Sequence, residues 1–118
     1  MTSNFKTPQE EFWAGEFGDA YISRNRNNTL LAANTAFFAR IFSSLHSLPE
    51  TYLELGANIG MNVSAIQPLA PNAKFTGIEI NSQACKELAN TGCEVIEGSI
   101  FDAEISKKYD FVYSKGVL

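Results

Sequence analysis

The residues best placed to do chemistry lie in one stretch, Tyr52-Leu53-Glu54-Leu55-Gly56-Ala57-Asn58-Ile59-Gly60-Met61-Asn62. An apolar run with one acid leads into a turn, and a helical pattern starts beyond it. Gly56 permits a turn that most side chains would obstruct, and Asn58 is among the few other residues that tolerate positive φ. Gly60 lets a ligand or a neighbouring strand approach the backbone closely. In an open α/β sheet, ligands bind in the crevice beyond the carboxyl ends of the strands, where this turn would sit. The spacing G-x-x-x-G lacks the middle glycine of the dinucleotide fingerprint, which disfavours NAD. It also lacks the Lys-Ser/Thr of a phosphate-gripping loop, which disfavours ATP and GTP.

Two further segments point to the same crevice. Glu79 closes Thr76-Gly77-Ile78-Glu79-Ile80-Asn81, 19 residues after Gly60. A carboxylate there accepts two hydrogen bonds at once, which suits the vicinal hydroxyls of a ribose. In Glu97-Gly98-Ser99-Ile100-Phe101-Asp102 the backbone and Ser99 could meet an adenine edge, with Ile100 and Phe101 walling the ring. Each feature has a plainer counterpart. The glycines could make only a tight strand–helix turn, and Glu79 could be a solvated strand end. For Glu54, hydrogen bonding to the loop and direct ligand contact stand level. Ser114 has no base in the pattern to activate it, so a nucleophile role is rejected.

The elements that must position these residues follow from periodicity. Thr7-Pro8-Gln9-Glu10 has the form of a helix start, with Thr7 as cap and Pro8 in the first turn. The aromatic-rich segment that follows predicts a short helix broken near Gly15 to Gly18. Leu30, Leu31, Phe37, Phe38, Ile41, Phe42 and Leu45 predict a helix over 29–46, with His46 late in it, where a cation-capable side chain suits the dipole. From Thr51 the rhythm changes. Strands are predicted at 51–55, 74–80, 93–97 and 111–114, with helices at 59–69 and 82–90 and a turn or short helix at 102–108. Strands alternating with helices imply right-handed crossovers and a doubly wound parallel sheet. The expected class is α/β, Rossmann-like, with strand order 3-2-1-4, truncated after the fourth strand and preceded by an N-terminal helical segment. Residues 1–48 form that segment and 49–118 a partial core.

The bulk numbers bound the function. The chain has 118 residues, 45% of them hydrophobic, and a net charge of −4. That fits one packed domain. No basic cluster exceeds Lys107-Lys108, so a nucleic-acid partner is not expected. No apolar run approaches the ~20 residues of a membrane span. The polar start, Met1 to Gln9, has no secretory pattern. Cys85 and Cys93 read as free thiols of a cytoplasmic protein. His46 is the single histidine, which excludes a histidine-rich metal site, and a histidine-based nucleophile system unless His46 itself serves. No metal site is expected. A fourth strand followed by apolar Val117 and Leu118 would leave an unprotected edge, so a homodimer through residues 109–118 is expected.

Glu54-Leu55-Gly56-Ala57-Asn58-Ile59-Gly60, followed by Gly77-Ile78-Glu79, resembles the cofactor-binding core of the class I S-adenosylmethionine-dependent methyltransferases. Asn58 stands where their first motif has its middle glycine. Gln9-Glu10-Glu11-Phe12-Trp13-Ala14-Gly15-Glu16-Phe17-Gly18, with the LGANIG and SKGVL segments, resembles the methyltransferases associated with pseudaminic acid biosynthesis. The resemblance implies S-adenosylmethionine as cofactor and a small sugar or nucleotide-sugar as acceptor. By that resemblance Glu54, Gly56, Ala57, Asn58 and Gly60 line the methionine and ribose region. Glu79 holds the ribose hydroxyls, Ile80 packs on the adenine, and Ser99 and Ile100 meet its edge, with Ser99 where many relatives have Asp. Ser114 and Lys115 lie beside the methionine end. Phe12, Trp13, Phe17 and Tyr21 form a lid, and Arg24 reaches the cofactor's carboxylate. Trp13 and its neighbours read equally well as core, and Lys115 as an ordinary exposed lysine. Such domains continue past the fourth strand with acceptor-binding residues. The expectation is therefore cofactor binding, with turnover an open question; the alternative is a binding or assembly module without activity.

Overall fold

The computed structural model describes residues 28–115 and, before them, residues 8, 10 and 14. Four short runs rich in β-branched and aromatic residues form the sheet: β1 Thr51–Leu55, β2 Lys74–Glu79, β3 Glu94–Glu97 and β4 Phe111–Tyr113. All pairings are parallel, in the order β3-β2-β1-β4. This is the expected truncated Rossmann-like arrangement, and β4 is one edge. Among residues 28–115, three helices accompany it: α1 Asn28–Phe42, α2 Met61–Ile66 and α3 Ser82–Asn90.

Register decides what each face carries. Tyr52 is opposite Phe75 and Phe111, and Glu54 is opposite Gly77 and Tyr113. Because side chains alternate along a strand, these residues share one face. Tyr52 stacks on Phe75 at 4.7 Å, while Phe42 and Phe38 of α1 meet Phe111 and Tyr113 edge-on at 5.5 and 5.6 Å. Edge-on rings place a positive rim against a negative face, which adds to the area they bury. Val63 and Ile66 of α2 and Leu88 of α3 join the same buried core. That core is the platform on which the strand ends are held.

Two helical expectations shorten. α1 stops at Phe42, because the Ser43 and Ser44 hydroxyls donate to the Arg40 and Ile41 carbonyls at 2.7 Å and compete with the next turn. His46 thus lies outside the helix and has no dipole to complement. α2 begins only after Gly60 and ends at Ile66, just before Pro68, which has no N–H to continue the ladder. The segment at 102–108, expected as a turn or short helix, takes the first form: a turn ends at Asp102 and no helix follows. α3 keeps its expected bounds. The Asn81 side chain caps it, accepting from the Ala84 N–H at 2.9 Å, and Gly92 at φ +89° follows its end.

At the amino ends of the strands, Asp110 Oδ2 accepts from the Glu50 and Thr51 N–H groups, and Thr51 Oγ1 accepts from the Asp110 N–H at 2.9 Å. A groove of about 430 Å³ lies at this end, lined by residues that include His46, Glu50 and Asp110. It is at the opposite end of the sheet from the 56–60 loop.

Candidate functional site

The loop after β1 folds back on the sheet. Gly56 and Ala57 both donate their N–H groups to the Ile78 carbonyl, at 2.9 and 3.0 Å. Gly56 sits at φ +74° and Asn58 at φ +55°, the left-handed region that their residue types admit. Gly77 makes the fold-back possible: a Cβ there would lie 2.7 Å from the Ala57 Cβ and 2.9 Å from Leu88 Cδ2. Gly60, at φ +89°, has no room for a side chain within the fold itself. A Cβ on it would come 2.9 Å from Thr91 Cγ2 and 3.0 Å from Leu88 Cδ1. Its smallness admits the end of α3.

Two buried acids flank this loop at the carboxyl ends of adjacent strands. Glu79, at the end of β2, receives the Asn58 N–H on Oε1 at 2.7 Å and the Asn81 N–H on Oε2 at 2.8 Å. Burial raises its pKa, and these backbone donors, with the Ile80 N–H, pull it back. Glu79 therefore clamps the loops that follow β1 and β2. Each oxygen keeps a further lone pair for a ligand hydroxyl.

Glu54 is held differently. It is 1% exposed. Oε2 accepts from Asn62 Nδ2 at 2.6 Å, and Asn62 Oδ1 in turn accepts from Asn34 Nδ2 of α1 at 3.2 Å. Glu54 Oε1 has no hydrogen-bond partner. Tyr113 lies close enough to Glu54 for the two to act on each other, but its hydroxyl does not reach good hydrogen-bond geometry. Burial pushes the Glu54 carboxyl up to about 8, against the lowering effect of Asn62, Tyr113 and Lys115, while the Glu79 charge adds to the rise. Asn58 Oδ1, in the loop itself, is also buried without a partner. Burial likewise pushes the Cys85 and Cys93 thiols up to about 12, so both free thiols are inert side chains.

Glu10 and Ala14 reach this end of the sheet. Ser99 Oγ donates to Glu10 Oε2 at 2.6 Å and accepts from the Phe101 N–H at 3.0 Å. Asn81 Nδ2 donates to the Ala14 carbonyl at 3.3 Å. The Ser99 hydroxyl expected at an adenine edge is thus already engaged within the fold. Ile80, Ile100 and Ser114 are half-buried, and Phe101 is 65% exposed, a poor wall for a ring. Lys115 is exposed, with Nζ 5.4 Å from the centre of the Phe37 ring. Glu54, Gly56, Ala57, Asn58, Gly60 and Glu79 form one cluster. Trp13 and Arg24 lie outside the described residues, as do Phe12, Phe17, Tyr21 and Gly116.

Sequence reasoning missed Asn34, Tyr113 and Glu10, and gave Asn62 no role. Asn62 could have been found, since it is a polar residue opening a helix eight positions after a buried acid. Asn34 carries the weaker signal of one amide inside an apolar helix.

A parallel β3-β2-β1-β4 sheet, with helices in its crossovers and acids at the ends of its first two strands, is a Rossmann-like architecture. The chain is similar in fold to the plantazolicin methyltransferase BpumL in complex with SAH (22% identity, TM-score 0.64), covering 90% of this chain and 44% of that one. It is also similar to the sugar N-methyltransferase KedS8 from Streptoalloteichus sp. ATCC 53650 (16% identity, TM-score 0.65), covering 98% of this chain and 44% of that one. A third similar structure is an S-adenosylmethionine-dependent methyltransferase from Clostridium acetobutylicum ATCC 824 (15% identity, TM-score 0.60), with coverage of 83% and 42%. The chain spans less than half the length of these proteins. No protein-family model and no curated protein matches the sequence. Among the described residues, no helix is long and apolar enough to cross a membrane.

Proposed function

We propose that this chain is the cofactor-binding portion of an S-adenosylmethionine-dependent methyltransferase that acts on a small sugar or nucleotide-sugar acceptor. The observation that carries this reading is the pair of buried acids, Glu54 and Glu79, on either side of a loop that turns through left-handed Gly56 and Asn58. The residues fit such a cofactor. Glu54 Oε1 and Asn58 Oδ1 are buried polar atoms left without partners at the carboxyl end of β1, and unpaired polar atoms are retained in a fold mainly where something meets them.

In this reading Glu54, Asn58 and the 56–60 backbone receive the amino-acid end of the cofactor, with Ser114 and Lys115 beside it. Glu79 offers its spare lone pairs to the ribose, and Ile80 and Ile100 pack on the base. Residues 1–48 cover the crevice, consistent with the contacts that Glu10 and Ala14 make to Ser99 and Asn81. The bound cofactor supplies an electrophilic methyl group; the chain orients the acceptor and keeps the site dry. A sugar-type acceptor is supported by the likeness to the sugar N-methyltransferase. A place in pseudaminic acid biosynthesis is supported by the resemblance in the Gln9 to Gly18, LGANIG and SKGVL segments.

A second reading is a module that binds cofactor without turnover. Isothermal titration with S-adenosylhomocysteine, followed by a methyl-transfer assay on amino- and hydroxy-sugar nucleotides, separates the two. Binding with transfer supports the enzyme, and binding alone the module. An absence of heat and of thermal shift at millimolar ligand overturns both.

A further inference from the structure

The arrangement around Glu54 has a chemical consequence beyond occupancy. Asn62 must present its amide N–H to Glu54, because Asn34 donates to the other end of the same amide at 3.2 Å. The relay from α1 through α2 thus fixes which oxygen of Glu54 is engaged. It leaves Oε1 buried with no hydrogen-bond partner. An ionised carboxylate in that position would have one buried lone oxygen, which is costly without a countercharge.

The groups around Glu54 give it little countercharge. β2 contributes Glu79, a second acid, and β4 contributes the Tyr113 phenol. Cys93, before β3, is a buried neutral thiol whose own ionisation Glu54 opposes. α1 and α2 contribute only the neutral amides Asn34 and Asn62. Among the described residues, the cation that acts on Glu54 is Lys115, which is exposed, with Nζ 5.4 Å from the centre of the Phe37 ring.

We propose that Glu54, held by Asn62 and Asn34, is a proton-linked receptor for a cationic group of the ligand. The empty site keeps Glu54 as the neutral acid, and binding expels its proton to solvent. The inference rests on the cofactor-binding reading above, in which the cation is the ligand's ammonium group. No bond to carbon changes; one O–H bond on Glu54 breaks, and the proton passes to buffer as the ammonium–carboxylate pair forms. Asn34 and Asn62 are positioning residues in this scheme.

The test is titration calorimetry of the 118-residue chain with S-adenosylhomocysteine at pH 7, in buffers of different ionisation enthalpy, which counts protons released. Close to one proton should leave per ligand bound. Affinity should rise about tenfold per pH unit between pH 6 and 8 and then flatten. 5′-Methylthioadenosine, which lacks the ammonium group, should bind with no proton release. Glu54→Gln, which keeps the shape of the neutral acid, should bind S-adenosylhomocysteine more weakly, with no proton release and a flat pH profile. Binding of S-adenosylhomocysteine without proton release, or unchanged release in Glu54→Gln, overturns the inference and leaves the cofactor reading standing. No binding by the wild-type chain at any pH overturns both.

Discussion

Glu54 and Glu79 are the same residue type, both buried, at the ends of adjacent parallel strands, yet the fold treats them in opposite ways. Glu79 has a backbone donor on each oxygen, the N–H groups of Asn58 and Asn81 at 2.7 and 2.8 Å. Glu54 has one side-chain amide on one oxygen and nothing on the other. The difference is one of partner type. Backbone N–H groups of a loop are themselves in need of acceptors, so Glu79 and the loops satisfy each other. Glu54 satisfies nothing that would otherwise be stranded except an asparagine. A carboxylate that completes a backbone is held in place with or without a ligand, and one that the backbone leaves incomplete has an oxygen that only a ligand can satisfy.

The largest expected effect tests the first half of that contrast. Glu79→Ala removes the acceptor of two loop N–H groups and leaves them facing a buried space. Each such orphan costs about 1–3 kcal/mol, so a loss on the order of 3–4 kcal/mol is expected in urea unfolding. Because the loop after β1 hangs on this bond, amide exchange at Asn58 should accelerate in the same variant. A loss below about 1 kcal/mol with unchanged exchange would show that the loop is held by its bonds to the Ile78 carbonyl alone.

Glu54→Gln should shift stability in the other direction. The Glu54 carboxyl is raised from 4.5 to about 8 in the folded chain. The folded state therefore holds its proton where the unfolded state has lost it. Stability from this group is complete below the unfolded value and falls as pH rises through the window up to about 8. A neutral glutamine has no such penalty. The variant should be more stable than wild type by on the order of 2–3 kcal/mol at pH 7, with the gain shrinking toward zero near pH 4.5. Thermal melts across that range read it directly. A destabilised Glu54→Gln protein at pH 7 would remove the contrast between the two acids.

How much of this was legible in the sequence depends on the range of the interaction. The bounds of β1 and α3, the strand order and the positive φ of Gly56 and Asn58 follow from local chemistry, namely alternation, capping and the residue types a left-handed turn admits. The acids themselves were visible as strand-end carboxylates. What each acid touches was not. Asn34 and Asn62 are 28 positions apart, and Ser99 and Glu10 are 89 apart. Such pairs exist only once α1 has packed on the sheet and the N-terminal segment has reached its edge. Gly60 shows the same limit in reverse. A glycine after a strand reads as room for a close approach, and only the packed α3 shows that Thr91 and Leu88 lie where its Cβ would be. The shortened α1 and α2 belong with these, since a serine hydroxyl or a proline decides where a helix stops within a pattern whose periodicity would continue.

The smallest expected effect asks whether the Glu54 site is held by α1 or only by its own strand. Asn34 is buried, and its amide donates to Asn62 at 3.2 Å, a neutral bond of ordinary length. Asn34→Ala should therefore cost about 1 kcal/mol. Most of that should vanish when Asn62 is already alanine, because the Asn62 oxygen left unpaired is then gone. A double-mutant cycle in urea should return a coupling of about 0.5–1 kcal/mol between the two positions. If the relay orients Asn62, the pH dependence of stability assigned to Glu54 should also shift in Asn34→Ala, since an amide free to turn can present its oxygen to the carboxyl and favour the neutral acid still more. Additive single losses with an unmoved pH profile would mean that Asn34 merely fills space. Glu54 would then owe its orientation to Asn62 alone, and its contrast with Glu79 would be confined to the first turn after β1.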